Sequence, residues 1–191
     1  MNISDLVTKE LHPGEIVRWT GSGDPGVLFT RADFLLVPFS LLWGGFAIFW
    51  ETQAVTENSG PLFLVFGGAF VLVGLYLIVG RFFTKAYRKR TTAYAVTDRR
   101  AFLTDGRRVV ETGLAVADRT TTWAQDRRHV SVVWNNNRQG TRNFFNSRRA
   151  PWPGNTGTDG IGSPMLMAFY DVQDGDALLA ALNESQRTER R

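Results

Sequence analysis

Two stretches of this chain contain no charge. Residues 34–50 read FLLVPFSLLWGGFAIFW, with 13 of 17 positions apolar. Residues 61–80 read PLFLVFGGAFVLVGLYLIVG, after which Arg81 interrupts and Phe82 and Phe83 extend the run. A hydrocarbon layer about 30 Å thick needs ~20 apolar residues at ~1.5 Å each. The second run fits. The first supplies only about 25 Å at that rise. It is expected to be short, with Arg31 and Asp33 at the interface and some local thinning of the bilayer. Two other readings are a buried helical hairpin of a soluble protein and a re-entrant hairpin. A soluble helix shows one polar face, whereas these runs are apolar all round. Trp50, Phe82 and Phe83 at the run ends suit interfacial anchors. The spacing therefore predicts a membrane hairpin over residues 31–83, with spans at about 33–50 and 61–83.

Charge is divided around that hairpin. Of the 22 Lys/Arg and 18 Asp/Glu, residues 1–83 hold 4 and 7, and residues 84–191 hold 18 and 11. The two parts thus carry net −3 and +7. The connection 51–60 (ETQAVTENSG) has no cation, whereas Lys85, Arg88, Lys89 and Arg90 crowd behind the second run. The positive-inside rule then puts both termini in the cytoplasm of a multi-pass plasma-membrane protein. Residues 1–30 lack the cationic start and apolar core of a cleavable signal. Neither apolar run contains an ionisable group, which argues against an ion pathway. Gly44, Gly45, Gly67, Gly68 and Gly74 let two helices approach closely. With no Cys in the chain, a disulfide framework or Cys-ligated metal site is impossible.

Outside the hairpin the pattern is that of short strands. In residues 1–30, Ile3, Leu6, Val7 and Leu11 fall at helical spacing, expected to dock on the later domain. Residues 15–20 (EIVRWT) alternate like a strand, with Val17 and Trp19 on one face. In residues 84–191, strands are expected at 92–97, 101–104, 107–112, 120–124, 129–134, 141–146 and 165–172. Asp105-Gly106 marks a hairpin turn. Residues 147–163 read as a loop. Asp174 can cap a last helix with Leu178, Leu179 and Leu182 on one stripe.

Certain segments resemble bacterial membrane proteins that carry a pleckstrin-homology (PH)-like domain behind two transmembrane helices. They are Leu11-His12-Pro13-Gly14-Glu15 with Trp19, then Tyr94-Ala95-Val96-Thr97-Asp98-Arg99-Arg100, and Phe169-Tyr170-Asp171-Val172 leading into Leu178 and Leu179. The resemblance implies a membrane α hairpin plus a mainly-β, seven-stranded bent barrel closed at one end by the C-terminal helix. PH-like domains bind phospholipid headgroups, peptides or proteins, and fold alone does not choose among them.

The residue chemistry points to binding rather than catalysis. The only histidines are His12 and His129, and no metal-ligand spacing occurs. Asp98, Asp118 and Asp126 sit at predicted turns, where Asp bonds its own backbone. The stretch 154–162 (GNTGTDGIG) superficially resembles a phosphate cradle but lacks the Gly-Lys-Ser/Thr ending. The chain is read as a non-enzyme that needs no cofactor and no metal. What remains is arginine, paired at predicted turns: Arg99/Arg100, Arg107/Arg108, Arg127/Arg128 and Arg148/Arg149. Guanidinium groups bind phosphate in a bidentate way. With Lys85, Arg88, Lys89 and Arg90, these form the candidate contact set for anionic lipid. The competing reading makes Lys85–Arg90 a topology signal and the pairs solvated turns. Trp123, Trp134 and Trp152 invite base stacking, but Trp123 and Trp134 fall in strands and are assigned to the core, so nucleic acid is not an expected partner. Trp152, between two prolines, is the expected exposed contact. The leading expectation is a PH-like domain that binds a protein partner, anionic headgroups or both. The alternative is an assembly subunit of a larger membrane complex that accepts a peptide strand at the barrel edge.

Overall fold

In a computed structural model the described residues are 2–30, 32–114, 119–124, 126–134, 155–157 and 167–189. In chain order they form α1 (Ile3–Glu10), β1 (Val17–Gly21), α2 (Asp33–Thr56), α3 (Pro61–Leu75), a π-helical turn (Tyr76–Gly80), α4 (Arg81–Thr91), β2 (Ala93–Thr97), β3 (Arg100–Thr104), β4 (Val109–Gly113), β5 (Arg119–Trp123), β6 (Val130–Trp134), β7 (Ala168–Val172) and α5 (Gly175–Glu189). The described residues divide into two units. One is drawn from Met1–Val27, Ala86–Gly154 and Asp159–Arg191, the other from Leu28–Lys85 and Asn155–Thr158.

Two helices are long and apolar enough to cross a membrane, of 24 residues (Asp33–Thr56) and 31 residues (Pro61–Thr91), the second running past Lys85, where the second unit ends. At ~1.5 Å per residue the first is about 36 Å long, although its charge-free part is still the 17 residues 34–50. The helix does not stop where the charge-free run stops. Glu51, assigned to the connecting loop from its charge, lies inside α2. The turn that ends α2 has Asn58 in the left-handed region at φ 52°, and Ser59 N donates to Ala54 O at 3.0 Å. Asn tolerates that conformation better than most side chains. Pro61 then opens α3, where its missing N–H is not needed. Phe34, Leu35, Leu42, Leu62, Val65 and Leu72 are each more than two-thirds exposed, a surface suited to hydrocarbon rather than water. Between the helices the contacts are glycine and aromatic. A Cβ on Gly74 would come within 2.9 Å of Gly44 Cα, and Trp43 stacks on Phe70 at 5.7 Å. Gly45 faces open space instead, so only part of the glycine set serves the packing.

The first unit is built from two antiparallel sheets, ordered β1-β2-β3-β4 and β5-β6-β7. Their inward residues share one core with α5. Phe169 is its centre, stacked on Tyr94 at 4.6 Å and meeting Trp134 edge-on at 4.9 Å. Leu178 and Leu182 of α5 enter fully buried, with Leu179 beside them. Burial pushes the Tyr94 hydroxyl up to about 12. On the other face of the first sheet, Leu6 and Val7 of α1 cover Ala93, Ala95 and Phe102. The amphipathic N-terminal helix therefore docks on the β unit, as its weakly cationic polar face implied.

Two strand expectations need correction. A bulge between Val17 and Trp19 breaks the two-residue alternation. Trp19 packs toward Phe169 while Val17 stays exposed. Trp123 was assigned to the core but lies on β5, an edge strand among the described residues, and is 36% exposed. The expected strand at 141–146, together with Asp118, Arg148, Arg149 and Trp152, lies outside the described residues.

The glycine packing makes a comparison testable. Gly74→Ala must displace the backbone of the partner helix and is expected to destabilise the protein by about 1–3 kcal/mol. Gly45→Ala adds its methyl to open space and is expected to be neutral or stabilising by up to ~1 kcal/mol. Thermal unfolding in one detergent orders the two variants; equal midpoints would contradict the packing.

Candidate functional site

The predicted cations fall into three groups. The first group is committed inside the protein. Lys85 is 3% exposed and donates Nζ to Leu28 O at 2.6 Å. Lys89 is 4% exposed, with Nζ on Val27 O at 2.6 Å and on Asp171 Oδ2 at 2.5 Å. Arg100 carries the largest network. Its Nε and Nη2 meet Glu15 Oε1 and Oε2 at 2.9 and 3.1 Å, its Nη2 also reaches Glu10 O at 2.5 Å, and its Nη1 pairs with Glu111. The guanidinium plane lies over Phe102 at 4.7 Å. These three head groups are not available as surface phosphate contacts. Arg81 is buried likewise in the helix pair, where it pairs with Asp33 and donates Nε to Leu77 O at 2.8 Å across the π turn. The same unit seats part of the glycine-rich stretch, since Tyr76 Oη donates to Gly157 O at 2.9 Å.

The Arg100 network shows what two of the resemblance motifs do. The backbone of residues 15–16 lies in the turn between β2 and β3. Ile16 N donates to Asp98 Oδ1 at 2.9 Å, and Asp98 N returns to Ile16 O at 3.0 Å. Thr97 Oγ1 donates to Glu15 Oε1 at 2.7 Å and accepts from Arg100 N at 3.0 Å. Glu15 Oε2 accepts from His12 N at 2.8 Å. Burial alone would raise the Glu15 carboxyl. The bonds from Arg100, His12 and Thr97 outweigh it and lower the carboxyl to about 2. Leu-His-Pro-Gly-Glu and Thr-Asp-Arg-Arg are thus two halves of one clamp, and this clamp absorbs Arg100.

The second group is exposed but at the wrong end to act with the rest. Arg99 has a 59% exposed side chain on the β2–β3 turn. The register pairs Ala93 with Thr104 and Tyr94 with Gly21. The β3–β4 turn therefore lies at the opposite end of the first sheet, a strand length or about 15 Å away.

The third group sits at that opposite end, where β1 leaves toward residue 28 and β2 arrives from α4. Arg107 and Arg108 are exposed on the β3–β4 turn, held by Asp105 Oδ1, which accepts from both backbone N–H groups at 2.8 Å. Gly106 at φ 81° supplies the left-handed turn residue. Arg127 and Arg128 are exposed on the β5–β6 turn. That turn is fixed by Asp126 Oδ1, which accepts from Arg128 N at 3.0 Å. His129 then ties it to the chain leaving β1: Nε2 lies 2.9 Å from Asp24 Oδ2 and Nδ1 lies 2.5 Å from Asp126 Oδ2. Asp24 N donates to Asp171 O at 2.9 Å, next to the Lys89 pair. Arg90 is exposed and Arg88 half-buried on α4. Four exposed guanidinium groups thus stand on two turns. Among the described residues, no group of three or more His, Asp or Glu side chains is placed to hold a metal ion.

Sequence reasoning took Asp98 and Asp126 as backbone-bonding turn residues, and both act so. It did not find the roles of Glu15, Asp24, Asp171 or His129, because each has a partner that lies 82 or more residues away in the chain. No family model, curated protein or solved structure matches the chain.

The Glu15 clamp has a defined acid signature. Its carboxyl titrates near 4.5 unfolded and about 2 folded. Its stabilisation is complete above the unfolded value and lost as pH falls through the folded one. The shift corresponds to about 3 kcal/mol. Unfolding followed by tryptophan fluorescence should show stability falling steeply between pH 4.5 and 2, and Glu15→Gln should flatten that slope. A parallel fall in the variant would contradict the assignment.

Proposed function

We propose that this chain is a non-enzymatic, multi-pass protein of the bacterial plasma membrane. Both termini lie in the cytoplasm, where a PH-like domain reads anionic lipid headgroups. Two sheets of four and three antiparallel strands, with a C-terminal helix entering their core, support the PH-like reading. The cation-free residues 51–60 between the two apolar runs and the cationic residues 85–90 support the orientation.

The observation that carries the lipid reading is the position of Arg107, Arg108, Arg127 and Arg128. All four are exposed on turns of the β unit, away from Arg99 and toward the end where β1 stops and β2 begins. A single residue, Thr92, separates α4 from β2. A cation near an anionic leaflet contributes about 1 kcal/mol, so four supply about 4 kcal/mol. A tethered domain has already lost most of its translational freedom, so contacts this weak suffice to orient it. Arg99 and the buried Lys85, Lys89 and Arg100 are outside this set.

The chain has no Cys, so Val109→Cys gives one labelling site beside the first arginine pair. In lipid nanodiscs, a polarity-sensitive dye there is expected to shift to the blue as phosphatidylglycerol replaces phosphatidylcholine. Raising salt from about 0.1 to 1 M should reverse the shift, because the screening length falls from ~10 to ~3 Å. Replacing all four arginines by Gln should abolish it, and Arg99→Gln should leave it. An equal response in neutral lipid, or in the fourfold variant, would overturn the reading.

A further inference from the structure

His129 lies between two carboxylates, and that fixes its protonation state by geometry. An ionised carboxylate accepts hydrogen bonds and donates none. Both ring nitrogens are within hydrogen-bond distance of such a group, Nε2 of Asp24 and Nδ1 of Asp126. Only the imidazolium has two N–H donors. A neutral ring can keep one of these bonds, and its bare nitrogen would then face the other carboxylate. Asp126 is three residues away in the same turn, whereas Asp24 is 105 residues away. The local bond costs less order to keep, so the long-range one is lost.

The surroundings leave this titration to His129. Asp24 also accepts from Gly26 N at 2.7 Å, and that bond together with His129 keeps its carboxyl low. Asp126 is kept low by Arg128 N–H and His129. From α4, Lys89 contributes a positive charge near Asp24, and from β7 Asp171 neutralises that lysine. Arg127 and Arg128 adjoin the ring in sequence. Arg127 stands at φ 51°, in the left-handed region that a side chain of its size seldom occupies. Such a conformation persists where its surroundings hold it.

We propose that His129 is a proton-operated fastener: as imidazolium it holds the Arg127–Arg128 turn against the chain at Asp24, and on losing its proton it releases the turn and weakens the anionic-lipid contact. The lipid half of this statement rests on the function proposed above. Burial works against the charged ring, but the two carboxylates outweigh it and raise its pKa above the ordinary value. The fastening is therefore complete below the unfolded pKa near 6.5 and is lost as pH rises through the higher folded value.

His12→Asn leaves His129 as the sole histidine of the full chain. In nanodiscs containing phosphatidylglycerol, its ring signals should titrate above ~6.5, and Asp24→Asn should lower that midpoint. Hydrogen-exchange protection of amides 126–129 should fall about tenfold across the titration, the loss of one charge-assisted bond. In Asp24→Asn, protection should already be low and independent of pH. A polarity-sensitive dye at Thr122→Cys should lose its anionic-lipid response over the same interval, and in His129→Gln that response should not depend on this interval. Protection that stays constant through the titration would overturn the fastener, as would a pH-dependent response retained in His129→Gln. Protection that changes while the dye ignores anionic lipid at every pH would support the fastener and refute the lipid contact.

Discussion

The β unit is made from two stretches of chain that the apolar helices separate, and the buried pair of Glu15 with Arg100 joins them. Strand β1 comes from before the helices, and β2 to β7 come from after them. A five-residue edge strand holds its register weakly on backbone bonds alone. The bidentate carboxylate–guanidinium contact, with Thr97 and Asp98 around it, fixes that register at one end of β1. Replacing such a pair by apolar groups can be neutral, whereas deleting one partner strands a buried charge at a cost of about 3–5 kcal/mol. Its contribution is therefore specificity of docking more than net stability. The net stability comes from Leu6 and Val7 over Phe102 and from the aromatic core around Phe169.

The same logic governs the chain on both sides of the helices. The stretch leaving β1 is fastened by Asp24 to His129, and α4 is fastened by Lys89 to Asp171. Asp171 itself stands at φ 51° within β7 and accepts the Lys89 ammonium, while its backbone carbonyl accepts Asp24 N. A left-handed aspartate in a strand is held by these contacts, and it brings both fastenings to the edge of the second sheet. The buried charges thus tie the segments on either side of the helices to the β unit, and Arg107, Arg108, Arg127 and Arg128 remain exposed.

How much of this was legible in the sequence follows from the range of each interaction. The apolar helices were legible because absence of charge over some twenty residues is a local property. The end of α2 was not, because Glu51 ended the uncharged run without ending the backbone hydrogen bonds. Most strands of the β unit were legible from turn chemistry such as Asp105-Gly106. Trp123 was misassigned because alternation does not reveal which strand becomes an edge. Lys85, Lys89 and Arg100 were grouped with the surface cations because buried charge is rare unless paired, and pairing is a long-range fact. Glu15 lies 85 residues from Arg100, and Asp171 lies 82 from Lys89. The segments Leu-His-Pro-Gly-Glu and Thr-Asp-Arg-Arg were noticed as motifs, but only the fold brings them together.

A double-mutant cycle on Glu15→Gln and Arg100→Met tests most directly whether this pair closes the discontinuous β unit. Arg100→Met leaves the buried Glu15 carboxylate without its guanidinium, Glu15→Gln leaves Arg100 only the half-exposed Glu111 as a charged partner, and the double variant removes both charges of the pair. The account predicts that the two losses of unfolding free energy are not additive, with a coupling of about 2 kcal/mol or more. Losses that add to within ~0.5 kcal/mol would contradict it.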